Sequence, residues 1–175
     1  MSGEHIVLVG FMGTGKSTVG ALLASRLGRP FVDTDRLVEE TAGMSVSDIF
    51  ERYGEAEFRR RESEALVRAL AGEPAVVATG GGAVLSEANR RAMTGAGFVV
   101  ALVADPEVLT ARLGRGAGRP LLSGDVRERV FRLLEERRHA YDFADLRVDT
   151  SHLSPEQVAR KILEVFWSRK GENRP

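Results

Sequence analysis

An apolar run, Ile6-Val7-Leu8-Val9, leads directly into Gly10-Phe11-Met12-Gly13-Thr14-Gly15-Lys16-Ser17-Thr18, and a helix-forming stretch continues to Leu27. Strand, glycine loop, helix is the context in which G-x-x-x-x-G-K-[ST] cradles phosphate, and it commits the chain to a narrow set of folds. The glycines let successive N–H groups converge on one anion. The helix N-terminus behind them adds roughly half a positive charge. Lys16 is placed to reach the β- and γ-phosphates of a nucleotide, and the Ser17 hydroxyl to sit on Mg²⁺. The other lysines are Lys161 and Lys170; elsewhere the chain uses arginine. A lysine here points to the need for a compact charge.

Further apolar runs follow at 30–32, 75–79, 98–103 and about 146–149, and helical patterns at 16–27, 46–53, 55–71, 86–94, 105–113, 125–140 and 155–168. Alternation at this spacing predicts an α/β chain, a parallel sheet with helices on both faces, whose ligands collect at the carboxyl ends of the strands. A length of 175 residues suits one domain, 1–175. Twenty-five basic and 25 acidic residues cancel, so no global field favours nucleic acid or a membrane. The chain has no cysteine and no apolar span of membrane length, and a cytoplasmic location is the default expectation. The tail from Arg169 is expected to fray.

The residues after each run are where chemistry is expected. Asp33-Thr34-Asp35 offers one carboxylate for a Mg²⁺ water and one for a substrate hydroxyl; Asp35 also reads as a cap for the next helix. Ser45 or Ser47 starts a short helix that Gly54 ends. Of Arg59, Arg60 and Arg61, about 100° apart on a helix, one or two can face a cleft. The others pair with Glu55, Glu62 or Glu64. Gly80, Gly81 and Gly82 make sense where backbone must approach something closely. Ser86 and Asp105-Pro106 start the next helices. The segment 114–124, with Arg115 and Arg119, reads as a flap that brings an arginine onto phosphates. Arg137 or Arg138 suits an anionic substrate, since a guanidinium binds a carboxylate through two bonds. His5, His139 and His152 lack metal-ligand spacing.

Together these residues resemble shikimate kinase, in order and spacing from about residue 5 to 165. The resemblance rests on Gly10 to Thr18, Asp33-Thr34-Asp35, Phe58-Arg59-Arg60 with Glu62, Gly80-Gly81-Gly82, Arg119-Pro120-Leu121-Leu122, and Arg137 four residues before Tyr141. It implies a three-layer α/β/α P-loop fold of the nucleoside-monophosphate-kinase type, with five parallel strands in the order 2-3-1-4-5. It also implies insertions at about 33–61, for the acceptor, and 113–125, a lid. The expected reaction moves the ATP γ-phosphoryl group to the 3-hydroxyl of shikimate, in aromatic amino acid biosynthesis, by a monomer.

The resemblance further implies site residues. Gly13, Thr14, Gly15, Lys16, Ser17 and Thr18 hold phosphates, and Ser17 and Asp33 hold Mg²⁺. Asp35 binds or deprotonates the hydroxyl. Arg59 and Arg137 clamp the carboxylate, with Arg138 the second candidate. Gly80 to Gly82 close on the ring hydroxyls, Arg119 swings over the phosphates, and Arg112 with Pro155 flanks the adenine. A gluconate- or nucleotide-type kinase of the same fold would keep Lys16 and Ser17 without needing Asp35, Arg59 and three glycines together. A noncatalytic nucleotide switch would need neither acid nor the lid arginine.

Overall fold

A computed structural model describes residues 3–114 and 125–171. Its strands are β1 (His5–Gly10), β2 (Phe31–Asp33), β3 (Val76–Ala78), β4 (Gly97–Val103) and β5 (Leu146–Asp149). They form one parallel sheet in the order β2-β3-β1-β4-β5, the order implied by the resemblance. The helices are α1 (Lys16–Leu27), α2 (Thr34–Ala42), α3 (Val46–Leu70), α4 (Glu87–Ala96), α5 (Pro106–Leu113), α6 (Val126–Glu136) and α7 (Pro155–Lys170), with a 3-10 turn at Ala83–Leu85.

Side chains alternate across the pleat, so the central strands feed two cores. Ile6 and Leu8 of β1 with Phe98, Val100 and Leu102 of β4 pack against Val19 and Leu23 of α1 and Val158, Ile162 and Phe166 of α7. Val7, Val9, Val99 and Ala101 face the opposite way, onto Leu66 of α3, Met93 of α4 and Tyr141. Burial on both faces explains why these strands are continuous apolar runs. The connection leaving β1 uses α1 on one face, and that leaving β3 uses α4 on the other. The crevice at their carboxyl ends is therefore a topological switch point, where open α/β sheets bind ligands.

Three local expectations need correction. The chain forms α2, a helix that periodicity had not indicated, and its N-cap is Asp33 rather than Asp35. The Asp33 carboxylate accepts from the N–H groups of Asp35 and Arg36. Within α3 the expected break falls at Gly54, which ends the first helical stretch with a φ of 83° and ψ of 173° that suit only glycine. Helix α6 stops at Glu136, short of 140, so Arg137 lies outside the helix. Helix α7 runs on to Lys170, where the tail was expected to be loose already. Ser45, Ser86 and Asp105 head their helices as expected, Ser45 and not Ser47 being the cap.

Candidate active site

The glycine loop joins β1 to α1 with Gly13 at φ 82° and Gly15 at φ 93°, values open to glycine and costly for any other residue. Lys16, only 9% exposed, donates from Nζ to the carbonyls of Gly10 and Phe11 at 2.7 and 3.0 Å. Thr14 is buried and its hydroxyl holds the Phe11 carbonyl at 2.8 Å. Ser17 and Thr18, in the first turn of α1, face the cleft.

Asp33-Thr34-Asp35, at the end of β2, serves three different contacts. Asp33 accepts the Ser17 hydroxyl at 2.6 Å. The buried Thr34 hydroxyl accepts the Gly80 N–H at 3.3 Å. Asp35 looks into the cleft. The Ser17 and Asp33 oxygens suit Mg²⁺, which keeps several waters and takes few protein ligands.

Only one residue of the arginine run turns inward. Arg60 pairs with Glu57 and Glu64, and Arg61 with Glu57. Arg59 lies over the Phe58 ring and donates from Nη1 to Glu62 at 2.8 Å and from Nη2 to Glu55 at 3.3 Å. Glu62, read from the sequence as a partner for solvated arginines, is 1% exposed and belongs to the site. Burial pushes both Glu62 and Asp35 above the ordinary carboxyl range. Arg59 opposes this at Glu62; at Asp35 the Asp33 charge adds to it while Lys16 and Arg59 oppose.

The triple glycine closes the cleft. None of Gly80, Gly81 and Gly82 has a left-handed φ, so the requirement is space rather than conformation. A Cβ at Gly80 would lie 2.5 Å from Glu62 Oε1 and 2.7 Å from Asp35 Oδ1. One at Gly82 would fall on the Arg59 guanidinium. The close approach expected from the sequence is thus made first by the protein's own side chains. Tyr141 donates its hydroxyl to the Gly81 carbonyl at 2.9 Å, and burial raises its pKa. Arg137, 4% exposed, lies over the Phe11 ring and lines the same cleft. Arg138 points to solvent, 69% exposed, beside Glu135.

The cleft has a volume of about 580 Å³. Met12, Val46, Phe50 and Phe58 supply an apolar wall, a role the sequence had not indicated for them. Arg112 braces the back of the glycine loop, and Pro155 heads α7 behind a Ser154–Gln157 capping box. Arg119 and most of the expected lid lie outside the described residues. His5 is buried and accepts the Ala75 N–H, whereas His139 and His152 are exposed beside Asp142 and Asp105.

The family model for shikimate kinase matches residues 12–167. A shikimate kinase of Symbiobacterium thermophilum is 53% identical over 170 residues, covering 94% of this chain and 97% of that one. One of Geobacter sulfurreducens is 52% identical over 162 residues, covering 91% and 89%. Among solved structures, shikimate kinase from Acinetobacter baumannii in complex with shikimate aligns with a TM-score of 0.92 at 37% identity, covering 95% of this chain and 94% of that one. Likeness of this extent in both sequence and structure places the chain in the shikimate kinase family, phosphotransferases that act on an alcohol group with ATP as co-substrate and Mg²⁺ for catalysis.

Proposed function

We propose that the two halves of the cleft divide the transfer of the ATP γ-phosphoryl group to the 3-hydroxyl of shikimate between them. One observation carries the acceptor half. Among the described residues, four buried side-chain atoms have no hydrogen-bond partner: Asp35 Oδ1, Glu62 Oε1, Arg59 Nε and Arg137 Nη1. All four residues line one cleft, and they offer two acceptors and two donors. A buried polar group without a partner is costly, so such a set is explained by a ligand that completes it. A small molecule with a carboxylate for the two guanidinium groups and hydroxyls for the two carboxyl groups is the chemical complement.

On this reading Arg59 and Arg137 hold the carboxylate. Asp35 orients the reacting hydroxyl and takes up its proton as that oxygen bonds to the γ-phosphorus and the bond from the γ-phosphorus to the ADP leaving group breaks. The Gly80 to Gly82 backbone lies along the ring. On the other side Lys16 and the loop N–H groups hold the phosphates, and Ser17 and Asp33 hold the metal. When bound by Ser17 and Asp33, Mg²⁺ would neutralise phosphate charge. Arg112 and Pro155 border the adenine, and Arg119 completes the phosphate side from the lid. Little covalent work falls to the protein; positioning and electrostatics lower the barrier. The segment at about 33–61 behaves as an acceptor-binding insertion, and its separate small core of Val38, Ile49 and Phe58 supports this. All named groups come from one chain, which suits a monomer. The balanced charge speaks against a nucleic-acid partner. No described helix is long and apolar enough to cross a membrane, and we place the enzyme in the cytoplasm.

Arg59→Lys tests the acceptor half. An ammonium cannot replace the guanidinium fork, so the KM for shikimate is expected to rise at least about tenfold while the KM for ATP stays within about twofold. Equal losses for the two substrates would remove Arg59 from the acceptor site.

A further inference from the structure

The nucleotide side contains a buried polar group outside the glycine motif. Thr150, directly after β5, is 3% exposed. Its N–H donates to the Val103 carbonyl at 2.8 Å, which ties it to the end of β4. Its hydroxyl is within donating distance of two carbonyls, Val103 at 3.1 Å and Thr14 at 3.3 Å. Arg112 Nη1 donates to the same hydroxyl oxygen at 3.3 Å and to the Gly13 carbonyl at 3.1 Å, and Nη2 donates to the Thr150 carbonyl at 3.0 Å. Two consecutive carbonyls of the glycine loop, Gly13 and Thr14, are therefore drawn outward by groups behind the loop.

The consequence follows from peptide geometry. No described peptide bond is cis, and in a planar trans peptide the C=O and the following N–H point in opposite directions. A Thr14 carbonyl turned toward Thr150 turns the Gly15 N–H the other way, toward the cleft that Gly15 lines. A side chain at Gly13 would meet Leu113 at 3.1 Å, so α5 packs against the crest of the loop as Arg112 holds it. The loop is thereby restrained by packing from α5 and by hydrogen bonds from the end of β5.

We propose that Thr150 is a positioning residue of the phosphate cradle: its hydroxyl, together with Arg112, fixes the Gly13 and Thr14 carbonyls outward and so aims the Gly15 N–H at the nucleotide's phosphates. The inference rests on the reading of Gly10 to Ser17 as that cradle. Thr150 touches no substrate, and its effect runs through the loop.

The test compares Thr150→Val, which keeps the shape and removes the hydroxyl, with Thr150→Ser, which keeps the hydroxyl. The readouts are the KM values for ATP and shikimate and the inhibition constant of inorganic tripolyphosphate, competing with ATP. Thr150→Val is expected to raise the ATP KM and the tripolyphosphate constant together, by about fivefold, the scale of one hydrogen bond. The shikimate KM should stay within about twofold, and Thr150→Ser should restore both nucleotide-side constants. Tripolyphosphate separates the cradle from the adenine side, because it has no base. A rise for ATP alone would mean that Thr150 acts through Arg112 on the base, and would overturn the inference. So would unchanged constants, equal losses for both substrates, or a serine variant as weak as the valine one. If Thr150→Val does not fold, Thr150→Ala against Thr150→Ser carries the same comparison. If tripolyphosphate fails to compete in the parent enzyme, the cradle reading itself falls; if it competes there but Thr150→Val leaves its constant unmoved, only the role of Thr150 falls.

Discussion

Asp35→Asn is expected to lower turnover by about 10²–10⁴-fold, the usual contribution of a positioned acid or base, while making the protein more resistant to heat at neutral pH. The two effects share one cause. Asp35 is buried, one of its oxygens has no partner, and the Asp33 charge stands close by; Lys16 and Arg59 compensate only in part. Its pKa is therefore raised in the folded chain. A carboxyl of raised pKa binds its proton more tightly when folded than when unfolded, so it subtracts from stability as pH rises above the ordinary aspartate range. Asparagine cannot ionise and is free of that loss. The Tm advantage of the variant should accordingly grow from about pH 4 to pH 7, and thermal melts across this range measure it. A variant less stable than the parent at pH 7 would show that the charge on Asp35 is well compensated in the site.

Gly82→Ala should raise the KM for shikimate by about two orders of magnitude, the scale of moving a binding group by about 1 Å, with little change for ATP. The φ of Gly82 is −98°, which alanine adopts freely, so backbone strain plays no part. The added methyl group would occupy the place of the Arg59 guanidinium. That group cannot simply retreat, because Glu62 holds it from a fully buried position. Gly81→Ala, whose Cβ would meet the Met12 N at 3.3 Å, should be milder. Gly95→Ala is the control, since a Cβ there meets nothing within 4 Å. Separate KM values for the two substrates decide the matter. A Gly82→Ala enzyme with a normal shikimate KM would show that the guanidinium moves without cost.

These expectations use both what the sequence made legible and what it hid. The strands were readable because a sheet buried on both faces leaves continuous apolar runs. The glycine loop was readable because its chemistry is local. Helix α2 was signalled by a possible cap but not by periodicity, because its core-facing positions amount to little more than Leu37 and Val38, which pack on a small satellite core rather than the main one. Glu62 was misjudged because a glutamate beside three arginines looks solvated. Its burial leaves it against Gly80, eighteen residues later in the chain and in the loop after β3. The choice between Arg137 and Arg138 turned on where α6 stops. With the helix ending at Glu136, Arg137 takes non-helical dihedral angles and lies buried in the cleft. Thr150 gave no signal because its role lies wholly in contacts with Thr14, Val103 and Arg112, all distant in sequence.

The seat of Lys16 bears on which compounds can compete with the nucleotide. Its ammonium rests on two neutral carbonyls, those of Gly10 and Phe11, within its own loop. On the proposed reading, an arriving polyphosphate would draw the ammonium away from these carbonyl dipoles toward its own negative charges. On the same reading, an uncharged mimic of the base would offer the lysine no charge in exchange for the Gly10 and Phe11 carbonyls. Inhibitor chemistry directed at this half of the enzyme should therefore carry an anion, however well its ring fits the adenine side.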